Sequence, residues 1–318
     1  MSYQFEECQN LEIWDEFVAN SLQSNIFCFS KFFTLTYTNF KLYFVKKNGN
    51  VILGCILILD SHGKNCISPF MYQGILFDKY MEDLPNHRFS KISLDLFEFL
   101  ILSLEKYYDH IALSLHYTIK DIRAFQWFNY HETEKRMFKI IPRYTGILNM
   151  ENSTSFDSIF KQSRKVRRQE YHKTIKNGFN VSLSKDISVL DDLHKSTFLR
   201  QGVKRTDVEK LLVRKVSEIA IDEGFGRLLI CSNNHGEPVS ASMFLLDDVR
   251  GYYLVGATNP KFRNDGVGSL VMFEQIKMCF EDGLTAVDFI GINSPQRGDF
   301  KTSFNAQSEL YFDIEYSK

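Results

Sequence analysis

The sequence predicts a mixed α/β (α+β) fold, built as two tandem domains with mixed central sheets flanked by helices. Three observations carry this reading. The chain has 318 residues, the length of two ordinary domains. Short apolar strand-like runs alternate with helical spacing through both halves. In the second half an apolar run, Tyr252 to Gly256, leads through Arg263-Asn264-Asp265-Gly266-Val267-Gly268 into a helical run from Ser269 to Phe280. Strand, R-x-x-G-x-G, helix is an arrangement suited to a pyrophosphate. Glycines let backbone N–H groups approach the anion, the helix N-terminus adds partial positive charge, and the arginine adds a full charge.

Taken in order, Leu11 to Ser21 has helical spacing. Leu42–Val45 and Val51–Leu59 read as strands around the hairpin turn Lys47-Asn48-Gly49-Asn50. Leu94–Tyr108 reads as an amphipathic helix, Ile111–Leu115 as a buried strand and Tyr144–Met150 as another strand. The domain boundary is expected there, giving 1–145 and 146–318. Ser153 and Ser155 are candidate N-caps of a helix that runs through Lys161, Arg164, Arg167, Arg168 and Lys173 and stops at Gly178. A strand at Phe179–Leu183 follows. Ile187 to Gly224 is expected to be helical in two or three pieces. Strands at Arg227–Ser232, Val239–Leu246 and Gly251–Gly256 precede the glycine loop, and Ala286–Ile290 follows its helix.

Composition bounds the function. Hydrophobic residues at 44% and charged residues at 24% are ordinary for a globular chain. The net charge of −1 provides no global field for DNA and disfavours tRNA, although a local basic patch remains open. The six cysteines form no C-x-x-C pair and read as reduced, buried thiols. No metal-ligand cluster is legible in the spacing. The N-terminus lacks the apolar core of a signal peptide and no apolar run is long enough to span a bilayer, so the expected location is cytoplasmic.

The loop in its context resembles the acetyltransferase fold of the GNAT superfamily. That resemblance implies acyl-CoA, here acetyl-CoA, as the donor. Arg263, Gly266, Gly268 and the adjoining Ser269 would meet its pyrophosphate, and the Val255 and Ala257 backbone its pantetheine. The same glycines also fit a turn that merely caps a helix. Further elements resemble the FemAB-like and CelD-BioF2-like acyltransferases. They are Tyr72-Gln73-Gly74-Ile75, the basic stretch Arg164 to Gly178, and Val287-Asp288-Phe289-Ile290-Gly291 followed by Phe300-Lys301-Thr302-Ser303-Phe304-Asn305. They imply two tandem GNAT-like domains with the acceptor in the cleft between them. Asn305 stands where that pattern has glycine; asparagine tolerates the left-handed conformation.

Several residues follow as site candidates, each with an alternative. Lys301 would stabilise an oxyanion or bind an acceptor phosphate, or be a solvated lysine, with Phe300 flanking it. Arg164 and Arg168, at i and i+4, would share a helical face and grip an acceptor diphosphate, or form a solvated face, with Arg167 pointing sideways. Asn293 and Arg297 lie in a polar loop that would read sugar hydroxyls or phosphate, or be plain surface. Tyr72 is a substrate-binding candidate. Tyr253 would protonate the leaving thiolate. Asp288 is a weak general-base candidate that equally fits buried structure. The acceptor is expected to be a small molecule, an amine on a nucleotide- or lipid-linked amino sugar for surface polysaccharide. The alternatives are aminoacyl-tRNA-dependent transfer to a cell-wall precursor and a non-catalytic binding module.

Overall fold

The computed structural model describes residues 3–37, 39–201 and 207–318. The chain forms two compact units. The first joins Met1–Arg143 to Leu310–Lys318, and the second is Tyr144–Glu309. The residues Leu310–Lys318 thus belong with the first unit.

In the first unit, β1 (Tyr3–Glu7), β2 (Phe40–Lys47), β3 (Asn50–Ile58) and β4 (Ile75–Phe77) form an antiparallel sheet in that order. The β2–β3 hairpin turns at Asn48 and Gly49, with φ of 52° and 84°, as an Asn-Gly pair favours. Helix α1 (Leu11–Ala19) is capped by the Asn10 side chain and α2 (Ser30–Thr36) follows. Gly54 is required where α1 meets β3: a Cβ there would lie 2.6 Å from the Phe17 ring. Helix α3 spans Asn86–Leu104, starting eight residues earlier than its apolar pattern, and buries Leu96, Phe97, Leu100, Ile101 and Leu104 at helical spacing. Strand β5 (His110–Ser114), α4 (Arg123–Trp127) and the first part of β6 (Lys139–Asn149) complete this stretch. The partner of β5 comes from the far end of the sequence: β12 (Gln307–Ser317) pairs antiparallel with it, from Asp313 opposite Ser114 to Ser317 opposite His110.

The second unit has the strand order β6-β11-β10-β9-β8-β7, with β7 Asn180–Ser184, β8 Gly226–Ser232, β9 Pro238–Leu246, β10 Arg250–Thr258 and β11 Ala286–Asp288. Strands β10 and β11 are parallel and their connection is α9 (Val267–Glu281); the other neighbours are antiparallel. The β9–β10 register slips between Tyr253 and Val255, a bulge that leaves Leu254 unmatched. Helix α9 is buried beyond the single face of Leu270, Phe273 and Ile276. Val271, Met272 and Gln275 are buried too, because α9 lies between α6 and the sheet, where the Gln275 side chain donates to the Arg227 and Ser242 carbonyls.

Two expectations are corrected. The basic run is not one helix: α5 (Phe156–Gln162), capped by Ser155, and α6 (Lys165–Lys176) are separated at Ser163–Arg164, where the Arg164 N–H donates to the Ser303 carbonyl. The expected polar loop at Asn293–Asp299 is largely α10 (Pro295–Thr302). Proline at its start is preset for helix, and Gly298 is tolerated because a Cβ there would meet the Ile292 carbonyl at 2.5 Å. Gly178 ends α6 with φ 83°, and Asn305 has φ 70°. The long helical segment is α7 (Ile187–Gln201) and α8 (Asp207–Asp222); the part of it at 202–206 lies outside the described residues.

Candidate active site

The second unit contains a cleft of about 720 Å³ where β9, β10, α6, α9 and α10 converge. Its strand side is Ser240–Ser242 together with Tyr253 and Gly256–Thr258. The loop side is Arg263, Asn264, Gly266, Gly268 and Ser269, and Arg167, Glu170, Asp299 and Phe300 close the rest. Local sequence explains the loop. Asn259 caps a 3-10 turn over Pro260–Asp265, which delivers Arg263 to the cleft. Gly266 then reverses the chain with φ 80° and starts α9. A Cβ on Gly266 would lie 2.6 Å from Glu170 Cβ, so glycine is needed for space as well as backbone. The Ser269 and Leu270 N–H groups donate to the Gly266 carbonyl at 3.0 and 3.1 Å, and the helix dipole at this end of α9 suits an anion. Glycines, the α9 N-terminus and Arg263 fit a diphosphate-bearing donor, and the cleft is large enough for part of one.

Tyr253 lines the cleft. Gly256 makes room for its hydroxyl, since a Cβ there would sit 2.3 Å from the oxygen. Burial pushes the Tyr253 phenol up to about 12, with Arg297 pulling the other way, so it stays protonated at neutral pH. Lys301 is not among the residues lining this cleft; its ammonium lies over the Tyr253 ring, 5.0 Å from the centroid. It donates to the carbonyls of Ile290 and, at 3.1 Å, Gly291. Ile290 has φ 34° and Gly291 φ 53°, so the backbone turns through the left-handed region to present both carbonyls. Burial pulls the Lys301 ammonium down to about 8, Asp288 opposing and Arg297 adding to the shift.

Asp288 is fully buried. It accepts from Thr145 Oγ1 at 2.5 Å and from the Ile290 N–H at 2.8 Å, which holds the kink beneath Lys301 rather than exposing a base. The Ala257 carbonyl accepts from Ser240 Oγ at 3.1 Å, and Val255 does not line the cleft, so Gly256 and Thr258 are the strand positions beside Ala257 that do.

The basic residues distribute differently from their spacing. Arg164 lies before α6 in extended backbone and makes an exposed bidentate pair with Asp299 at 2.9 and 2.7 Å. Arg168 lines a separate notch with Phe160, Lys161, Lys165 and His172, so the two arginines do not share a grip. Arg167 instead faces the cleft: its guanidinium stacks 5.0 Å over Phe300 and donates to Glu170 and Ser269. Helix breakage at Ser163 rotates these assignments, a break with no glycine or proline to announce it. The Asn293 side chain accepts from the Tyr144 N–H at 2.8 Å, and Arg297 is exposed outside the cleft. Tyr72, in the first unit, has 1% of its surface exposed and packs among His116, Tyr117 and Tyr311, which leaves no open ring face for a substrate. Glu170 and Gly256 were not legible as site residues; the G-A-T run after Val255 was the available signal for the second. Among the described residues no group of three or more His, Cys, Asp or Glu is arranged to hold a metal ion, and no helix is long and apolar enough to cross a membrane.

This fold and cleft define an acyltransferase-type architecture. Residues 161–302 match the family model described as Acetyltransferase (GNAT) domain. Along its whole length the chain is similar in fold to FemX, with a TM-score of 0.68 at 14% identity, covering 98% of this chain and 97% of that one. It is also similar to a tandem GNAT protein from the clavulanic acid biosynthesis pathway, with a TM-score of 0.53 at 8% identity, covering 99% and 98%. L-PGS from Bacillus licheniformis matches with a TM-score of 0.53 at 11% identity, covering 97% and 90%. No curated protein matches by sequence. Residues 161–302 thus carry a GNAT-type domain, and the chain as a whole shares the fold of FemX and of the tandem GNAT protein.

Proposed function

We propose that the protein transfers an acyl group, acetyl in the simplest case, from acyl-CoA to an amine. The observation that carries this reading is the meeting of the Arg263–Ser269 loop and the Tyr253 hydroxyl in one cleft. Arg263 and the α9 N-terminus bind the donor diphosphate, and the pantetheine runs beside Gly256–Thr258. The acceptor amine attacks the thioester carbonyl. The bulge at Leu254 interrupts the β9 ladder two residues before Gly256, and a backbone N–H released there stabilises the oxyanion. When the tetrahedral intermediate collapses, the C–S bond breaks and the thiolate takes the Tyr253 proton; the proton that the amine nitrogen loses on becoming the amide passes through water and restores the Tyr253 phenol. Lys301, with its ammonium over that ring, supplies positive charge as the phenol gives up its proton. The acceptor belongs to the class of phosphorylated amino sugars used for surface polysaccharide, and Arg164 and Arg297, both exposed, are candidate contacts for it. A cytoplasmic location fits that substrate.

Calorimetric titration with acetyl-CoA and CoA tests the donor. Binding by the parent with a marked loss in Arg263→Ala is the expected result; no binding, or undiminished binding by the variant, sinks the assignment. A transfer screen on UDP- and dTDP-linked amino sugars tests the acceptor. A second reading, an aminoacyl group delivered from tRNA to a cell-wall precursor, is the one the FemAB resemblance implies, and the full-length likeness to the FemX fold favours it. Transfer from aminoacyl-tRNA without any acyl-CoA binding would establish it instead.

A further inference from the structure

Glu170 puts a carboxylate into the anion-binding end of the cleft. Its Oε2 accepts from Ser269 Oγ at 2.5 Å and from Arg167 Nη1 at 2.5 Å, and Arg167 Nη1 also reaches Ser269 Oγ at 3.2 Å. Ser269 stands in the first turn of α9, two residues after the helix begins, and all three side chains line the cleft with Gly266 and Arg263. The position of Glu170 is fixed from its own helix. Thr174 Oγ1 donates to the Asp265 carbonyl at 2.5 Å and Lys173 Nζ to the Asn264 carbonyl at 3.2 Å, so α6 is fastened to the loop. The glutamate side chain is a quarter exposed, so a ligand in the cleft can reach it.

A hydroxyl, a guanidinium and a helix N-terminus form a donor set for a phosphate oxygen. Here a carboxylate oxygen satisfies two of those donors. We infer that Glu170 is a specificity-determining residue that occupies the diphosphate seat, and that a donor gains the Ser269 and Arg167 donors by displacing it. This rests on reading the loop as a diphosphate seat. Exchange of one anionic acceptor for another keeps the hydrogen bonds constant in number, and the balance turns on charge. A ligand with two phosphate charges outcompetes one carboxylate, whereas a singly charged or neutral ligand does not. The Arg167 Nε, buried and without a hydrogen-bond partner, gives the guanidinium a further donor to offer once its Glu170 contact is released.

The test measures inorganic pyrophosphate, acetyl-CoA and S-acetylpantetheine binding to the parent, Glu170→Gln and Glu170→Ala, with thermal melts to show that each variant is folded. Removing the competing charge is expected to tighten pyrophosphate and acetyl-CoA by about tenfold in both variants and to leave S-acetylpantetheine unchanged. Unchanged or weaker pyrophosphate binding in the variants overturns the inference and makes Glu170 a support for Arg167. If acetyl-CoA binds but pyrophosphate binds to neither parent nor variants, the inference fails and the acyl-CoA reading stands. If no form binds either ligand, both fall. Should Glu170→Gln not fold, Glu170→Ala gives the same readout, and Ser269→Ala, which removes one donor, is expected to weaken pyrophosphate.

Discussion

Replacing Lys301 with methionine isolates the cost of burying its charge. The ammonium is pulled from 10.5 to about 8, chiefly by burial. A depressed lysine pKa means the folded state disfavours the protonated form. Below about pH 8 both folded and unfolded chains carry the proton, and the folded chain bears the full cost, on the order of 3 kcal/mol. Between about pH 8 and about pH 10.5 the unfolded chain holds the proton and the folded chain does not, so the stability contribution of this group rises with pH. Lys301→Met cannot titrate and keeps the length of the side chain. Urea denaturation of both proteins between about pH 7 and about pH 9.5 should show the parent gaining about 2 kcal/mol relative to the variant. A stability difference that stays flat across that range, or falls as pH rises, would refute the buried-charge argument. The same titration has a catalytic counterpart. If the ammonium beside Tyr253 is the active form, kcat falls as pH rises through about 8. In Lys301→Arg, whose charge persists to far higher pH, that descending limb should move up or vanish.

Other residues give independent tests. Arg263→Ala should weaken acetyl-CoA about 10- to 100-fold by calorimetry, the loss of a charge-assisted contact, with little change in melting temperature. Gly266→Ala meets both a left-handed φ and a contact at 2.6 Å with Glu170, and should cost at least about 1 kcal/mol in denaturant melts. Asp288→Ala strands the Thr145 hydroxyl and the Ile290 N–H in the interior and should cost about 2 kcal/mol or more. It should also lower kcat by freeing the kink that holds Lys301, while leaving acetyl-CoA affinity unchanged.

The sequence carried the fold further than it carried the site. The Asn48-Gly49 hairpin, the glycine loop before α9 and the Gly178 stop are dictated by local backbone chemistry, so they could be read residue by residue. The position of Arg167 could not. It depends on a helix break at Ser163 that is held by a hydrogen bond from the Arg164 N–H to Ser303, a partner distant in sequence. Asp288 shows the same limit. Its role is set by a kink at Ile290, and β-branched residues give no local signal for positive φ. The return of the C-terminal strand to the first unit rests on pairings far apart in the chain, which periodicity does not encode. Tyr72 lay in the motif that suggested it for substrate, yet its surroundings are supplied by His116, Tyr117 and Tyr311, all of them distant in sequence.

The late arrival of β12 governs the order in which this protein can be made. During synthesis β5 emerges without its strand partner, because Asp313–Ser317 lie far downstream of His110–Ser114. Until then the first unit lacks the Arg143–Asp313 ion pair, the His110–Ser317 contact and the Leu115–Phe312 backbone bond. The second unit has nearly all its own strands by that time and can collapse first, even though it is second in the sequence. A collapsed insert also shortens the loop that must close to bring β12 to β5. Whatever steadies the second unit therefore speeds completion of the first. Deleting Asp313–Ser317 would leave β5 as a bare edge open to pairing between chains, so such a variant should aggregate rather than merely lose activity.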